Sequence, residues 1–223
     1  MPELTEKMIQ KLTSGREYRR IDVSGIELRS EEDGQMIVEG YATTFNQPYE
    51  LWRTADYIVI EQVDGNAFDG CDMSDVIMQY DHQGRVMART RNKTLELIVD
   101  KHGLKIRANL GGTQAGRQLY EEIKGGYTDR MSFGFTVKTE KREEVEDHEN
   151  GTCTITRTIL AFEKLYDVSA VSLPANDSTE ISARGYADGV IEELKALEER
   201  RAKERQNRER LQEEIRQLLT WKK

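Results

Sequence analysis

Residues 130–173 read RMSFGFTVKTEKREEVEDHENGTCTITRTILAFEKLYDVSAVSL, and their pattern decides the fold class. Both ends are rich in β-branched and aromatic residues, while the middle, EKREEVEDHENG, is acidic and polar. Asn150-Gly151 is a strong hairpin signal, because both central residues of a two-residue hairpin turn need φ > 0. The stretch predicts two long antiparallel strands joined by a solvated loop. Alternation in the first puts Met131, Phe133 and Phe135 on one face and Ser132, Gly134 and Thr136 on the other. The serine face is then small and open. In the second strand, Leu165, Asp167 and Ser169 share a face.

Working back toward the N-terminus, short β-rich runs recur between turn residues: IDVSGIELRS, QMIVEGYATTF, YIVIEQV, DVIMQYDH, TLELIVD and GLKIRANL. One helix interrupts them. Thr113 caps it, Gln114 to Lys124 form its body, Gly125-Gly126 end it, and Leu119 and Ile123 face the sheet. This pattern predicts a mainly β (α+β) protein, with the strands in an antiparallel barrel or strongly bent sheet. Residues 1–17 read as a polar arm, 18–186 as the β domain and 187–223 as a charged helical tail. In the tail, Val190, Leu194 and Leu197 keep coiled-coil spacing, but the register then lands on Arg201, Glu204 and Arg208 before Leu211, Ile215 and Leu218. A seam charged in its middle predicts a helix that docks at two places or breaks around residues 200–210.

Charge is uneven along the 223 residues. The chain carries −8, yet Glu192 to Lys223 is +2, leaving −10 on the rest. An acidic body argues against duplex DNA as a partner. No apolar run is long enough to span a membrane. Cys71 and Cys153 lack the spacing of a zinc or redox motif. Three scattered histidines are a poor metal-ligand supply, so neither metal nor cofactor is expected.

Among those histidines, His148 falls in the acidic loop and His102 in the turn DKHGLK. His82 ends the apolar run DVIMQYDH, where a strand aims it at a strand–loop junction suited to a catalytic base. A serine hydroxyl needs such a base, usually oriented by a third group. Asp167 is a plausible third group, and Glu163 is a second candidate. Each residue also has a packing explanation: Ser132 and Gly134 fit a crowded sheet face, and Asp167 fits a solvent-facing strand position. A cysteine hydrolase using Cys71 with His82 and a metal-dependent hydrolase are the competing chemistries.

The ordered set VEGYATTFN, GNAF, VIMQYDH, GLKIRANL, GRQLYEEIKGGYTDRMSFGF and LYDVSAVSLPAN resembles the prohead serine proteases of tailed phages over roughly residues 37–181. The resemblance implies a fold similar to herpesvirus assembly proteases, a closed antiparallel β-barrel with flanking helices, here followed by the C-terminal charged helix. It implies a serine endopeptidase with Ser132 as nucleophile and His82 as base; the third position matches Asp167, where the family commonly has Glu. It further implies that the chain works in the host cytoplasm inside the assembling prohead, and is often active as a dimer. Its implied substrates are scaffold segments of the major capsid protein, other prohead components and the protease itself; the charged tail would then serve as a tether released by autocleavage. The alternative is a scaffold-like assembly protein of the same fold that cleaves nothing.

Overall fold

The computed structural model describes residues 15–21, 26–30, 35–147, 151–172 and 177–221. The strands are β1 (Glu17–Ile21), β2 (Glu27–Ser30), β3 (Met36–Thr44), β4 (Tyr49–Arg53), β5 (Tyr57–Val63), β6 (Ile77–Tyr80), β7 (Gln83–Arg89), β8 (Leu95–Val99), β9 (Gly103–Asn109), β10 (Arg130–Asp147) and β11 (Thr152–Val171). The helices are α1 (Gln114–Lys124) and α2 (Asp177–Trp221). The chain divides into two compact units, residues 1–184 and 185–223. Most of the expected N-terminal arm, His148, and Asn150 lie outside the described residues; Gly151 has the positive φ of 65° that a tight turn demands.

The long hairpin β10–β11 organises the first unit. One edge of β11 pairs antiparallel with β10. Its other edge pairs parallel with β5 along Cys153–Ile159 and then, further on, with β6 along Asp167–Ala170. The result is a seven-stranded mixed sheet, β1-β10-β11-β5-β4, with β6 and β7 branching from β11. A separate antiparallel sheet runs β2-β3-β9-β8.

This corrects the expectation of a closed antiparallel barrel. Two of the pairings to β11 are parallel, and among the described residues no ladder joins β1 to β4. Consecutive strands do not simply pair in order, because the small sheet and α1 intervene between β5 and β10 in the chain. The edges instead meet through side chains. Arg19 of β1 makes a fork on Glu61 of β5 at 2.6 and 3.0 Å. Arg157 of β11 bonds Glu61 at 2.7 Å and Glu17 of β1 at 2.6 Å, and the hydroxyl of Tyr49 on β4 donates to the same Glu61. Side chains of β1, β11 and β4 thus meet on Glu61 of β5, where no backbone ladder joins β1 to β4 among the described residues.

The core lies where the two sheets and α1 face each other. Val38, Ala42, Leu104, Ile106 and Ala108 come from the small sheet, and Met131, Phe133, Phe135, Phe162 and Val168 from the large one. Phe68, Phe135 and Phe162 pack ring to ring at 4.6 and 4.9 Å. Each fully buried side chain of this size contributes about 1.5–3 kcal/mol. The helix α1 forms over the expected residues. The Thr113 side chain accepts from the Gly116 backbone N–H at 2.9 Å, and Leu119 and Ile123 are buried.

Helix α2 begins at Asp177, earlier than the expected tail, and continues through Gly185 and Gly189. The run Asp177-Ser178-Thr179-Glu180 has the composition of a helix start, which those glycines obscure. No break occurs around residues 200–210. Residues 206–211 are exposed, including Leu211, so the charged middle of the seam is a solvated face of a continuous helix.

Candidate functional site

Strand β11 carries the site between its two neighbours. On one side, Ser132 of β10 lies opposite Ser169, and Gly134 opposite Asp167. On the other, β6 runs parallel to β11 and leads into Asp81-His82, the two residues that turn the chain into β7. Both have positive φ, 47° and 56°, as a type I′ turn requires. Non-glycine residues accept that conformation reluctantly, although Asp and His are among the more tolerant. Tertiary contacts hold it: the Asp81 backbone N–H donates to the Ala170 carbonyl at 3.1 Å, and both ring nitrogens of His82 are engaged. The turn folds the imidazole back across β11.

There His82 Nδ1 bonds Asp167 Oδ1, and Nε2 lies 2.6 Å from Ser132 Oγ. The three residues form one continuous chain of hydrogen bonds. A carboxylate on Nδ1 fixes the proton there and leaves the Nε2 lone pair facing the serine. The Ser169 hydroxyl donates to Asp167 Oδ1 at 3.0 Å and gives this buried carboxylate a second donor. Asp167 and Ser169 do share a face, as alternation predicts, and the register puts Ser132 on it, but Leu165 does not join them. A bulge pairs Phe135 with Leu165 while Gly134 pairs with Asp167, so Tyr166 is skipped and the phase resets. Leu165 thus enters the apolar core while Asp167 and Ser169 turn to the serine.

The serine face is small but not open. Ser132 is 0% exposed and His82 2% exposed. Strand β1 covers them, with Arg20 opposite Ser132 and Tyr18 opposite Gly134. The Tyr18 ring stands edge-on to the His82 ring, centroids 4.5 Å apart. Burial pushes the Tyr18 phenol up to about 12; the neighbouring Arg16 offsets this and the Asp167 charge adds to it. Tyr18 is therefore a neutral phenol at the relay. The Ser132 hydroxyl also reaches the Arg19 carbonyl oxygen at 2.8 Å.

Other candidates fall elsewhere. Glu163 is exposed, and the Nδ1 contact belongs to Asp167. His102 is an exposed turn residue with its ring edge-on to Tyr41. Cys71 is half-buried beside the core, and burial pushes its thiol up to about 11, with the Asp72 charge adding to the effect. Both imidazole nitrogens of His82 are occupied by Ser132 and Asp167, which leaves neither to activate a thiol. Among the described residues no group of three or more His, Cys, Asp or Glu could hold a metal ion, and no helix is long and apolar enough to cross a membrane.

Tyr18, from a strand over a hundred positions before Ser132, escapes a sequence reading. Alternation places Ser169 beside Asp167 and gives Gly134 a crowded face, but that both contact Asp167 follows only from the β10–β11 register.

A hydrogen-bonded series of serine, histidine and aspartate is chemically suited to activating the serine hydroxyl. The family model for the caudovirus prohead serine protease matches residues 24–191, and the chain belongs to that family. No curated protein and no solved structure matches it.

Proposed function

We propose that the chain is the endopeptidase that processes capsid or scaffold segments during prohead maturation, with Ser132 as nucleophile, His82 as general base and Asp167 as the group that orients it. The observation carrying this reading is the unbroken chain from Asp167 through His82 to Ser132, with Oγ 2.6 Å from Nε2. Ser132 Oγ attacks a peptide carbonyl carbon as its proton passes to His82 Nε2. The tetrahedral intermediate collapses when His82 returns that proton to the departing amine. Water, deprotonated by the same imidazole, then releases the acyl group from Ser132. Asp167 stays ionised throughout and stabilises the imidazolium. Its shorter side chain, compared with the family's usual Glu, still spans the distance because the turn brings the ring down onto β11.

The family supplies the setting, the interior of the assembling prohead in the host cell, and makes capsid proteins the natural substrates. The same activity on the chain itself, freeing a C-terminal tether around α2, and action as a dimer belong to this proposal. Coexpression with the capsid protein tests it on a gel. Processing must be lost in Ser132→Ala and kept in Cys71→Ala. Processing that survives Ser132→Ala refutes the serine mechanism; a wild type that cleaves nothing favours a scaffold-like protein of the same family.

A further inference from the structure

The covering of Ser132 by β1 has a consequence for regulation and substrate choice. A protease nucleophile must meet the carbonyl of an extended peptide, and enzymes commonly seat such peptides as an added strand on a sheet edge. Strand β1 is a five-residue edge strand with one described ladder, to β10, and that ladder runs across the nucleophile from Glu17–Phe135 to Ile21–Met131. Its Arg19 carbonyl oxygen accepts a hydrogen bond from Ser132 Oγ at 2.8 Å. The serine has a single hydroxyl proton and two acceptors, Arg19 O and His82 Nε2, within 2.8 Å. A proton given to the Arg19 carbonyl is withheld from the base. The side chain of Arg19 is buried and grips Glu61 by two hydrogen bonds, which locks the register of the strand.

We propose that β1 is a substrate-mimicking strand that silences the protease in cis, and that the true occupant of the β10 edge is an extended peptide with an arginine in the place of Arg19. The inference rests on Ser132 being the nucleophile. The strand resists cleavage because its carbonyl accepts a hydrogen bond from Oγ where productive attack needs the carbon turned to it. Substrate enters when β1 peels from the edge. Glu61 then receives the arginine of the incoming strand.

A serine-directed fluorophosphonate probe on the full-length chain reads this without any substrate. Successive residues of a strand point their N–H groups to opposite sides, so either Arg20→Pro or Ile21→Pro removes a ladder bond to β10. Wild type should label slowly, and the better of these two variants at least about tenfold faster. Ser132→Ala in either background should not label. The peptide GREYRRIDV, the sequence of residues 15–23, should restore slow labelling to the fast variant. The form with alanine for Arg19 should be at least about tenfold weaker. Wild type that labels as fast as both folded variants overturns the strap and leaves the serine mechanism standing. Equal potency of the two peptides overturns the arginine preference. Folded variants that never label overturn the serine mechanism itself. Where neither variant folds, hydrogen exchange on the wild type decides: a peptide boronate bound at Ser132 must accelerate exchange of the β1 amides, and unchanged exchange rules the strap out.

Discussion

Gly134 faces Asp167 across the β10–β11 ladder so closely that a Cβ on the glycine would lie 2.4 Å from Asp167 Oδ2 and 2.8 Å from Tyr18 Cε1. The empty space at position 134 is what lets the carboxylate sit beneath His82 Nδ1. Gly134→Ala must displace the carboxylate, the tyrosine ring or both. A misplacement of about 1 Å in such a relay costs roughly a hundredfold in rate, and the overpacking costs about 1–3 kcal/mol of stability. Peptide hydrolysis and a thermal melt on the same preparation separate the two effects. Full activity in this variant would show that the carboxylate position is not critical.

Asp167→Asn tests orientation more directly. The amide keeps the shape but can offer Nδ1 a donor, which favours the imidazole tautomer with its proton on Nε2, facing Ser132. The rate constant should fall about ten-thousandfold with little change in KM. Asp167→Glu, the residue common in the family at this position, should retain more activity than Asn. A variant series in which Asn and Glu behave alike would remove Asp167 from the relay.

How far the sequence disclosed these features depends on whether the determinant was local. The helix α1 was legible because Thr113 and Gly125-Gly126 bracket it. The hairpin β10–β11 was legible from its composition only in part, because the acidic run 140–147, read as a solvated loop, continues the β10 ladder as far as Asp147 opposite Thr152. Strand β7 was missed because its entry turn is Asp81-His82, without the asparagine or glycine that advertises a type I′ turn, and is held by contacts to β11 instead. Strand β4 was missed because YELWR is short and its alternation breaks at Leu51-Trp52, where the ladder to β5 shifts register. The parallel pairing of β11 with β5 and β6 is set by where distant segments dock, and so the closed-barrel expectation failed. Motif order singled out Ser132, His82 and Asp167, and the structure brings these three side chains together. The phase of Leu165 was not, since a bulge at Tyr166 leaves no mark in the residue types.

Cys71 offers a contrast between a buried thiol and a reactive one. With burial raising it to about 11, almost no thiolate exists at pH 8. Alkylation by iodoacetamide should be far slower than for a free cysteine, and Cys71→Ser should leave peptide hydrolysis unchanged. Fast alkylation with loss of activity would reopen the cysteine mechanism.

The charge cluster that bridges the sheet edges should be visible in the acid stability of the protein. Burial opposes ionisation of Glu61 most strongly, but the charges of Arg19 and Arg157, with hydrogen bonds from Arg19 and Tyr49, outweigh it and hold the carboxyl at about 2, below the ordinary 4.5. A carboxyl held lower in the folded state contributes stability that is fully present above about pH 4.5 and is lost as pH falls toward 2. The contribution is on the order of 3 kcal/mol. Glu61→Gln should remove this part of the acid dependence. It should also destabilise the protein near neutral pH by about 3–5 kcal/mol, because two buried guanidinium groups lose a shared partner. Melting temperatures of wild type and variant at pH 6 and pH 3 check both statements. The wild type must lose more on acidification than the variant does; parallel losses would place the acid sensitivity in other carboxylates.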